Sequence, residues 1–473
     1  MAIRQTSIET DVAVIGAGTA GIAAYRAAKA AGKRALLIEG GEHGTTCARV
    51  GCMPSKLLIA PAEAAHAVAR FPAFGIAPVA VKVDRRAVME RLRVERDRFV
   101  GYVTDDVDAL PDADKLSGRA TFVDDRTLRV DDRVLVKAAA IVIATGSSPV
   151  FPADWRALGE RLATNQDVFE WDQLPESVAV FGPGVVGLEL GQALHRLGVR
   201  VKVFGRGGGV GPLSNPALVE CARKVFTQEF YLDTNAHAEV ARDGDEVVVT
   251  YRALDSTTQT ERFAYLLAAT GRAPNVDKLG LENTTLALDA GGVPIFDRTT
   301  LQCGGSSIFV AGDASDDSPV LHEAADEGRI AGDNAARFPV LRSGLRRALL
   351  SVVFTDPQIC IVGGGFASAR PAAPVIGEVS FENQGRARVM LRNQGMLQVY
   401  AESTTGLFLG AEMIGPDAEH IGHLLAWARQ MNLSIDRMLE MPFYHPVLEE
   451  GLRSALRDAR AKLALIASAK RAA

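Results

Sequence analysis

Short apolar runs, glycine turns and Ala-rich amphipathic stretches follow one another along the first part of the chain. Asp11-Val-Ala-Val-Ile15 reads as a buried strand and Gly16-Ala-Gly-Thr-Ala-Gly21 as a glycine turn. Residues 20–31, Ala-rich with Ile22 and Tyr25, read as a helix packed on a sheet, and Ala35-Leu-Leu-Ile-Glu39 as the next strand. The same pattern returns later. Val178-Ala-Val-Phe181 is a strand, Gly182-Pro-Gly-Val-Val-Gly187 a turn, the stretch to Leu197 helical, and Val199 to Phe204 a strand again. Repetition of strand, glycine turn, helix and strand marks an internal duplication.

Between the copies, residues 54–70 read as a helix, residues 84–110 as a charged amphipathic helix, and residues 119–136 alternate like a hairpin. Ala140-Ile-Val-Ile-Ala-Thr-Gly146 is a buried strand ending in a glycine turn. Leu266-Leu-Ala-Ala-Thr-Gly271 is its near-twin, and Ile308-Phe-Val-Ala-Gly-Asp313 is another strand with a polar stop. After about residue 346 the texture changes. Strands over Ala387–Arg392, Gly395–Ala401 and Leu407–Ile414 are predicted before a helix at 417–431, an α+β arrangement, and Ala459–Ala473 reads as a helix or a frayed tail. The predicted organisation is one nucleotide domain split between 1–150 and 275–345, a second over 151–274, and a terminal domain over 346–473.

The chain has 473 residues, enough for about three domains, with 52 Lys and Arg against 57 Asp and Glu. A net charge of −5 argues against nucleic acid or an anionic membrane as the main partner. No run of 18 or more apolar residues is free of charge, and the first residues lack the apolar core of a secretory signal. Five cysteines are too few for a disulfide scaffold, so a cytoplasmic protein whose thiols serve chemistry is expected.

Two glycine turns are placed to bind dinucleotides. Gly16 makes the turn, Gly18 lets a pyrophosphate approach, and Gly21 lets helix and strand close; Gly182, Gly184 and Gly187 repeat the set. Glu39 ends the strand after the first turn and can accept hydrogen bonds from both hydroxyls of a ribose. Two such sites suggest one cofactor as electron relay and one as mobile carrier, as a flavin beside a nicotinamide would be. The repeat allows an internal comparison: Gly205 stands where the second copy should carry its acid. Arg206 follows, with Arg200 and Lys202 nearby, a composition suited to a 2′-phosphate. Strand alternation puts Arg200 and Lys202 on one face, where they could equally be solvated, so NAD and NADP both stay open.

Cys47-Ala-Arg-Val-Gly-Cys52 is the sharpest chemical signal. Two cysteines five apart at a helix start can form a disulfide if the turn folds back, which Gly51 would ease. Pro54 suits the first turn of a helix. The helix N-terminus and nearby Lys56 would stabilise a thiolate. Zinc would want a closer pair and two further ligands. Cys221, Cys303 and Cys360 are isolated and read as core residues. His445 lies just before Pro446, with Glu450 within reach to orient its ring, and imidazole suits proton exchange with a thiol. His420 and His423 share a helix face, with no carboxylate or cysteine to complete a metal set.

Taken together these marks resemble the flavin-dependent pyridine nucleotide–disulfide oxidoreductases, and within them the dihydrolipoyl dehydrogenases. Beside the two glycine turns and Cys47 to Lys56, the resemblance is carried by Ala144-Thr-Gly146, Glu189 and Thr270-Gly-Arg-Ala-Pro-Asn275. It continues through Ala311-Gly-Asp313, Leu321-His-Glu-Ala-Ala-Asp-Glu-Gly328, Phe354-Thr-Asp-Pro357 and His445-Pro446 with Glu450. It implies an α/β fold of two Rossmann-like, glutathione-reductase-type nucleotide-binding domains plus a C-terminal α+β dimerisation domain. It further implies FAD in the first domain, NAD or NADP in the second, and a homodimer.

The resemblance also assigns roles. Cys47 becomes the interchange thiol and Cys52 the thiol beside the flavin. His445, steadied by Glu450, reaches the other subunit's cysteines, and Lys56 and Glu189 pair near the flavin's reactive edge. Asp313 binds the flavin ribityl or phosphate region, Glu39 the adenosine ribose, and Thr145, Gly146 and Gly271 line the cofactor turns, with Arg206 beside the nicotinamide dinucleotide. The implied partner is a small dithiol or disulfide or a lipoyl group, with a 2-oxo acid dehydrogenase complex as a candidate host.

Several positions depart from the pattern. Thr45 stands where a second glycine is usual, Arg49 where Asn is usual, and Phe443-Tyr444 precede His445 where lipoamide enzymes often show His-x-His. Gly205 and Arg206 fit an NADPH-dependent reductase of glutathione disulfide or another small disulfide as the alternative activity. A flavin-binding scaffold without turnover would leave the cysteine pair and the histidine unexplained. Mercuric and large thioredoxin reductases would want a further C-terminal redox pair, and no cysteine follows Cys360. On this reading, reduction by a dithiol produces a long-wavelength thiolate–flavin absorption, and Cys52→Ser removes it. A band that persists in the variant overturns the assignment of Cys52.

Overall fold

A computed structural model describes residues 6–472. The chain divides into two compact units, one of Met1–Pro54, Arg91–Val150 and Arg272–Arg346, the other of Ser55–Glu90, Phe151–Gly271 and Arg347–Ala473.

The first unit is built on a sheet of seven strands among the described residues. Thr6–Ile15 lies parallel between Ala35–Glu39 and Val134–Ile143, and Ile308–Val310 runs parallel beside the end of the latter. The region expected to form a hairpin and a separate strand is instead a meander. Ala120–Asp124 and Thr127–Val130 pair antiparallel, and the third arm continues without a break as Val134–Ile143. Period-two alternation divides the core. Val12, Val14, Leu37 and Val142 face helices Thr19–Ala30 and Leu321–Arg337, whereas Ala13, Ile15, Ile38, Ile141 and Ile143 face Phe122, Leu128 and Val130.

The second unit contains the other copy. Ser177–Phe181 lies parallel between Arg200–Phe204 and Tyr265–Ala268, flanked by Tyr231–Asp233 and Leu162–Ala163. The antiparallel strands Ala238–Asp243, Glu246–Arg252 and Thr258–Phe263 add Val247, Val249, Tyr251 and Phe263 to its core. The terminal segment forms a five-stranded antiparallel sheet from Leu350–Val353, Gln358–Val362, Phe408–Gly415, Met396–Ala401 and Val375–Ser380. Its core includes Ile421, Leu425, Leu452 and Leu456 of the helices Ala418–Gln430 and Glu449–Ala472. The strand expected over Ala387–Arg392 is absent: Gly385–Val389 is a short helix. Gln384 caps it through the Ala387 amide at 2.7 Å, Leu391 turns to φ +52°, and Val389 is exposed. Local capping overrides the apolar run that suggested a strand.

Helices Thr19–Ala30 and Leu321–Arg337 touch through small residues. A Cβ on Gly328 would lie 2.1 Å from the Ala20 carbonyl oxygen, and one on Gly332 2.2 Å from that of Ala24. Propensity alone would make Gly→Ala favourable by up to about 1 kcal/mol. Forcing two backbones apart costs about 1–3 kcal/mol or more, so the steric effect decides the sign. Gly328→Ala is expected to lower denaturant stability by about 2 kcal/mol. Gly101→Ala, in helix Arg85–Asp108 with no atom within 4 Å of the added Cβ, is expected to raise it slightly. Equal effects of the two would refute the close-packing argument.

Candidate active site

The two glycine turns have the same local construction. Gly16 has φ +106°, and a Cβ there would meet the Ala144 carbonyl oxygen at 2.3 Å; at Gly182, φ is +108° and the Ala269 oxygen would be met at 2.2 Å. A Cβ on Gly21 would fall 1.7 Å from the Gly16 oxygen, and one on Gly187 1.9 Å from the Gly182 oxygen. Only glycine allows these approaches. Gly18 and Gly184, by contrast, face open space at the starts of helices Thr19–Ala30 and Val185–Arg196. Unfilled space before a helix N-terminus suits an anionic pyrophosphate.

In the first unit, Glu39 accepts hydrogen bonds from the amides of Ala17 and Gly41, each at 2.7 Å. Its carboxylate is thereby fixed at the strand end with lone pairs left for ribose hydroxyls. Asn275 ties down the 144–146 turn through the carbonyls of Thr145 at 3.0 Å and Gly146 at 2.9 Å. Thr145 Oγ1 is buried and has no partner among the described residues. Asp313 is half-buried and accepts a hydrogen bond from Ser147 Oγ at 2.7 Å. A carboxylate, an orphan hydroxyl and an open glycine turn within one unit fit the adenosine, pyrophosphate and polyol of FAD.

The thiols follow a strained turn. Thr45 holds φ 59° and ψ 153°, a region populated almost only by glycine, and its side chain accepts a hydrogen bond from the Ala48 amide at 3.3 Å. That contact caps helix Thr46–Val50, which carries Cys47. Arg49 bonds the Glu42 carbonyl and pairs with its carboxylate. A Cβ on Gly51 would lie 3.2 Å from the Cys47 Cα and 2.9 Å from the Thr46 oxygen, so the chain folds back onto Cys47 before Cys52 opens helix Cys52–Ala69. Cys47 is half-buried and Cys52 exposed. The start of an 18-residue helix favours a thiolate on Cys52.

The second unit holds two pairs of its own. Lys56 Nζ donates to both oxygens of buried Glu189, at 3.0 and 2.8 Å, and sits 4.3 Å from the centre of the Phe354 ring. The Phe354 amide donates to the same carboxylate at 2.9 Å. Phe354 thus holds the pair from two sides, a role that the motif Phe354-Thr-Asp-Pro357 carries without announcing it. His445 is exposed, with Nδ1 3.0 Å from Glu450 Oε2. The bond to His445, followed by that from the Val447 amide, holds the Glu450 carboxyl below its usual range. An ionised carboxylate only accepts, so Nδ1 carries the hydrogen and Nε2 is the ring nitrogen left to exchange a proton. The helix itself begins at Glu449, three residues beyond Pro446.

The cations near the second turn separate. Arg200 pairs with Glu261 at 3.0 Å, and Lys202 bonds both Tyr251 and Glu261. Both therefore hold the neighbouring antiparallel strands rather than a ligand. Arg206 is exposed and has no hydrogen bond or ion pair among the described residues. Gly205 is buried, and a Cβ there would strike the Pro183 ring at 2.6 Å and the Thr234 oxygen at 2.9 Å. The missing acid is thus excluded sterically by the proline within the glycine turn. Gly271, at φ +122°, closes this copy as Gly146 closes the other.

Residues 10–328 match the family described as pyridine nucleotide-disulphide oxidoreductase, and residues 349–456 match the dimerisation domain of that description. A dihydrolipoyl dehydrogenase from Haloferax volcanii is 30% identical over 476 residues, covering 97% of this chain and 98% of the relative. A mercuric reductase from Acidithiobacillus ferrooxidans is 31% identical over 461 residues, covering 94% of this chain and 82% of the relative. Among solved structures, the copper(II) complex of the HOCl-induced flavoprotein disulfide reductase RclA from Escherichia coli has a TM-score of 0.80 at 22% identity. It covers 95% of this chain and 99% of its own, a likeness of fold.

Of the remaining cysteines, Cys221 is half-buried rather than in the core as expected, and Cys303 and Cys360 are buried. Burial pushes the thiols of Cys303 and Cys360 up to about 12. Brief alkylation of the dithiol-reduced native protein near neutral pH is therefore expected to label Cys47 or Cys52 and spare Cys303 and Cys360. Peptide mapping showing label at either buried position first would contradict the assignment.

Proposed function

The chain belongs to the pyridine nucleotide-disulphide oxidoreductases, FAD- and NAD(P)-dependent flavoprotein enzymes, and on that premise we propose that it oxidises a dihydrolipoyl-type dithiol and reduces NAD+. The observation that carries this reading is the turn in which Gly51 lets the chain close on Cys47 just before Cys52. Cys47 and Cys52 cycle between disulfide and dithiol. A substrate thiolate attacks the Cys47 sulfur, the bond between the two cysteines breaks, and Cys52 leaves as a thiolate held by the helix start. Nε2 of His445 takes the substrate proton, while Glu450 fixes the ring through Nδ1. The second substrate thiol then displaces Cys47 and leaves as a cyclic disulfide.

Gly16, Gly18, Gly21, Glu39, Thr145 and Asp313 would hold FAD, which when bound would supply a two-electron relay to the nicotinamide. Lys56 donates to Glu189 and lies over the Phe354 ring, a pairing that the family pattern assigns to the flavin. A carboxylate accepts from hydroxyls and repels phosphate, so Asp313 is assigned to the ribityl chain. The substrate's lipoyl character is supported by the dihydrolipoyl dehydrogenase relative. Leu424, Trp427, Met431 and Tyr444 form exposed apolar positions in the dimerisation segment. They suit burial by a second copy, whose thiols the exposed His445 would serve.

The ribose end favours a second reading, an NADPH-driven reductase of a small disulfide. Pro183 and Gly205 exclude an acid there, and Arg206 is available to a 2′-phosphate. A steady-state matrix decides: NAD+ and NADP+ with dihydrolipoamide, and NADH and NADPH with glutathione disulfide. Dithiol-dependent reduction of NAD+ is the expected result. Turnover confined to NADPH with a disulfide replaces the first reading with the second. In that case Arg206→Ala should lower kcat/KM for NADPH by about tenfold, the loss of one charge-assisted phosphate contact.

A further inference from the structure

Asp313 sits at the end of a directed chain of donors. Arg272 Nε donates to Ser147 Oγ at 2.8 Å, and the same guanidinium bonds the Ser147 carbonyl. With its oxygen engaged as acceptor, the Ser147 hydroxyl sends its own proton to Asp313 Oδ2 at 2.7 Å. Ser147 is buried. It lies in the two-strand ribbon Ser147–Pro149 and Arg272–Pro274, so backbone pairing fixes both members of the relay. The residue before Asp313 is fixed separately. Gly312, at φ +69°, donates its amide to buried Glu327 at 2.8 Å, and Glu327 is paired with Arg346 at 2.8 Å. One carboxylate oxygen of Asp313 is thus committed to protein. Oδ1 has no hydrogen-bond donor among the described residues.

Resting on the flavin-site reading of Asp313, we propose that Ser147 and Arg272 are positioning residues that aim the Asp313 carboxylate at a ligand hydroxyl before FAD arrives. Without the Ser147 proton the carboxylate is free to rotate and must be ordered on binding, which weakens affinity. Neither residue touches reacting atoms, so the effect belongs to cofactor retention and not to dithiol exchange.

The test is FAD titration of apoprotein made from the full chain, followed by flavin fluorescence quenching, with the apoprotein's denaturation midpoint measured in parallel. Ser147→Ala should raise the FAD dissociation constant by about tenfold, the scale of a hydrogen bond to a charged group. Ser147→Thr, which keeps the hydroxyl, should stay within about threefold of the original. Arg272→Gln should behave like Ser147→Ala. Asp313→Asn should weaken binding as well, and Ser147→Ala should add nothing in that background, because its effect passes through the carboxylate. Apoprotein midpoints should not move.

Undiminished FAD affinity in Ser147→Ala, multiplying effects in the double variant, or a fallen midpoint that accounts for the loss overturns the relay. Unchanged binding by Asp313→Asn overturns the flavin-site reading instead, and with it the proposal. Should Ser147→Ala yield no folded apoprotein, Arg272→Gln and the threonine variant decide the matter by the same criteria.

Discussion

The approach of a helix backbone to a glycine carbonyl, made twice, is the contact that the rest of the architecture presupposes. Gly21 and Gly187 each bring their helix so near the preceding turn that a single methyl group would overlap a carbonyl oxygen. That closeness seats the helix start at the carboxyl end of a parallel sheet. It leaves Gly18 and Gly184 facing the only kind of space that a pyrophosphate can use. The turns are also bounded from the other side, by Ala144 in one copy and Ala269 in the other, each leading into Thr-Gly. The duplication therefore extends beyond the motif itself to the strand that limits it. Side chains that hold ligands can differ between the copies because the backbone does not.

That difference is largest at the ribose end. In the first copy the strand ends in Glu39, whose two oxygens are oriented by neighbouring amides. In the second, the corresponding Gly205 lies under the Pro183 ring. Proline in the turn and glycine at the strand end are one feature. The ring and the Thr234 carbonyl occupy the volume that a side chain at 205 would need, so Gly205 cannot change alone without a clash. Of the three cations at this strand end, Arg206 alone is left unengaged among the described residues, since Arg200 and Lys202 pair with Glu261. What a dinucleotide would meet at this end is therefore set first by packing around the glycine turn, with electrostatics acting on what packing leaves.

Much of this was legible in the residues themselves. The glycine turns, the strands they follow, the repeat of that pattern and the pairing of His445 with Glu450 all arise from short-range pattern. The places where the reading failed are those where a neighbour distant in sequence decides. Val134–Ile143 serves as hairpin arm at one end and central strand at the other, which no local window separates. The apolar run near 387–392 became a helix because Gln384 supplied a cap. The role of Arg200 and Lys202 stayed open because their partner Glu261 lies about sixty residues away. Phe354 and Ser147 carried no chemical signature, since an aromatic ring and a hydroxyl acquire function only from what stands next to them.

The turn before the cysteines shows how a departure from pattern can be absorbed without loss of geometry. Thr45 stands where glycine is usual, and the backbone has not relaxed to suit it; φ 59° and ψ 153° remain glycine's. Strain of this kind, about 1–3 kcal/mol, persists only where surroundings impose it. Here a Cβ on Gly44 would meet Arg49 at 3.1 Å and Val100 at 2.7 Å, and Arg49 is anchored to Glu42, so the loop is held from both ends. The hydroxyl returns part of the strain by capping the Ala48 amide, something glycine could not do. Arg49, the other departure, is the anchor that keeps the loop in place. The two substitutions therefore act together on the orientation of the helix that presents Cys47, and dithiol chemistry is compatible with both because the closing turn at Gly51 is untouched.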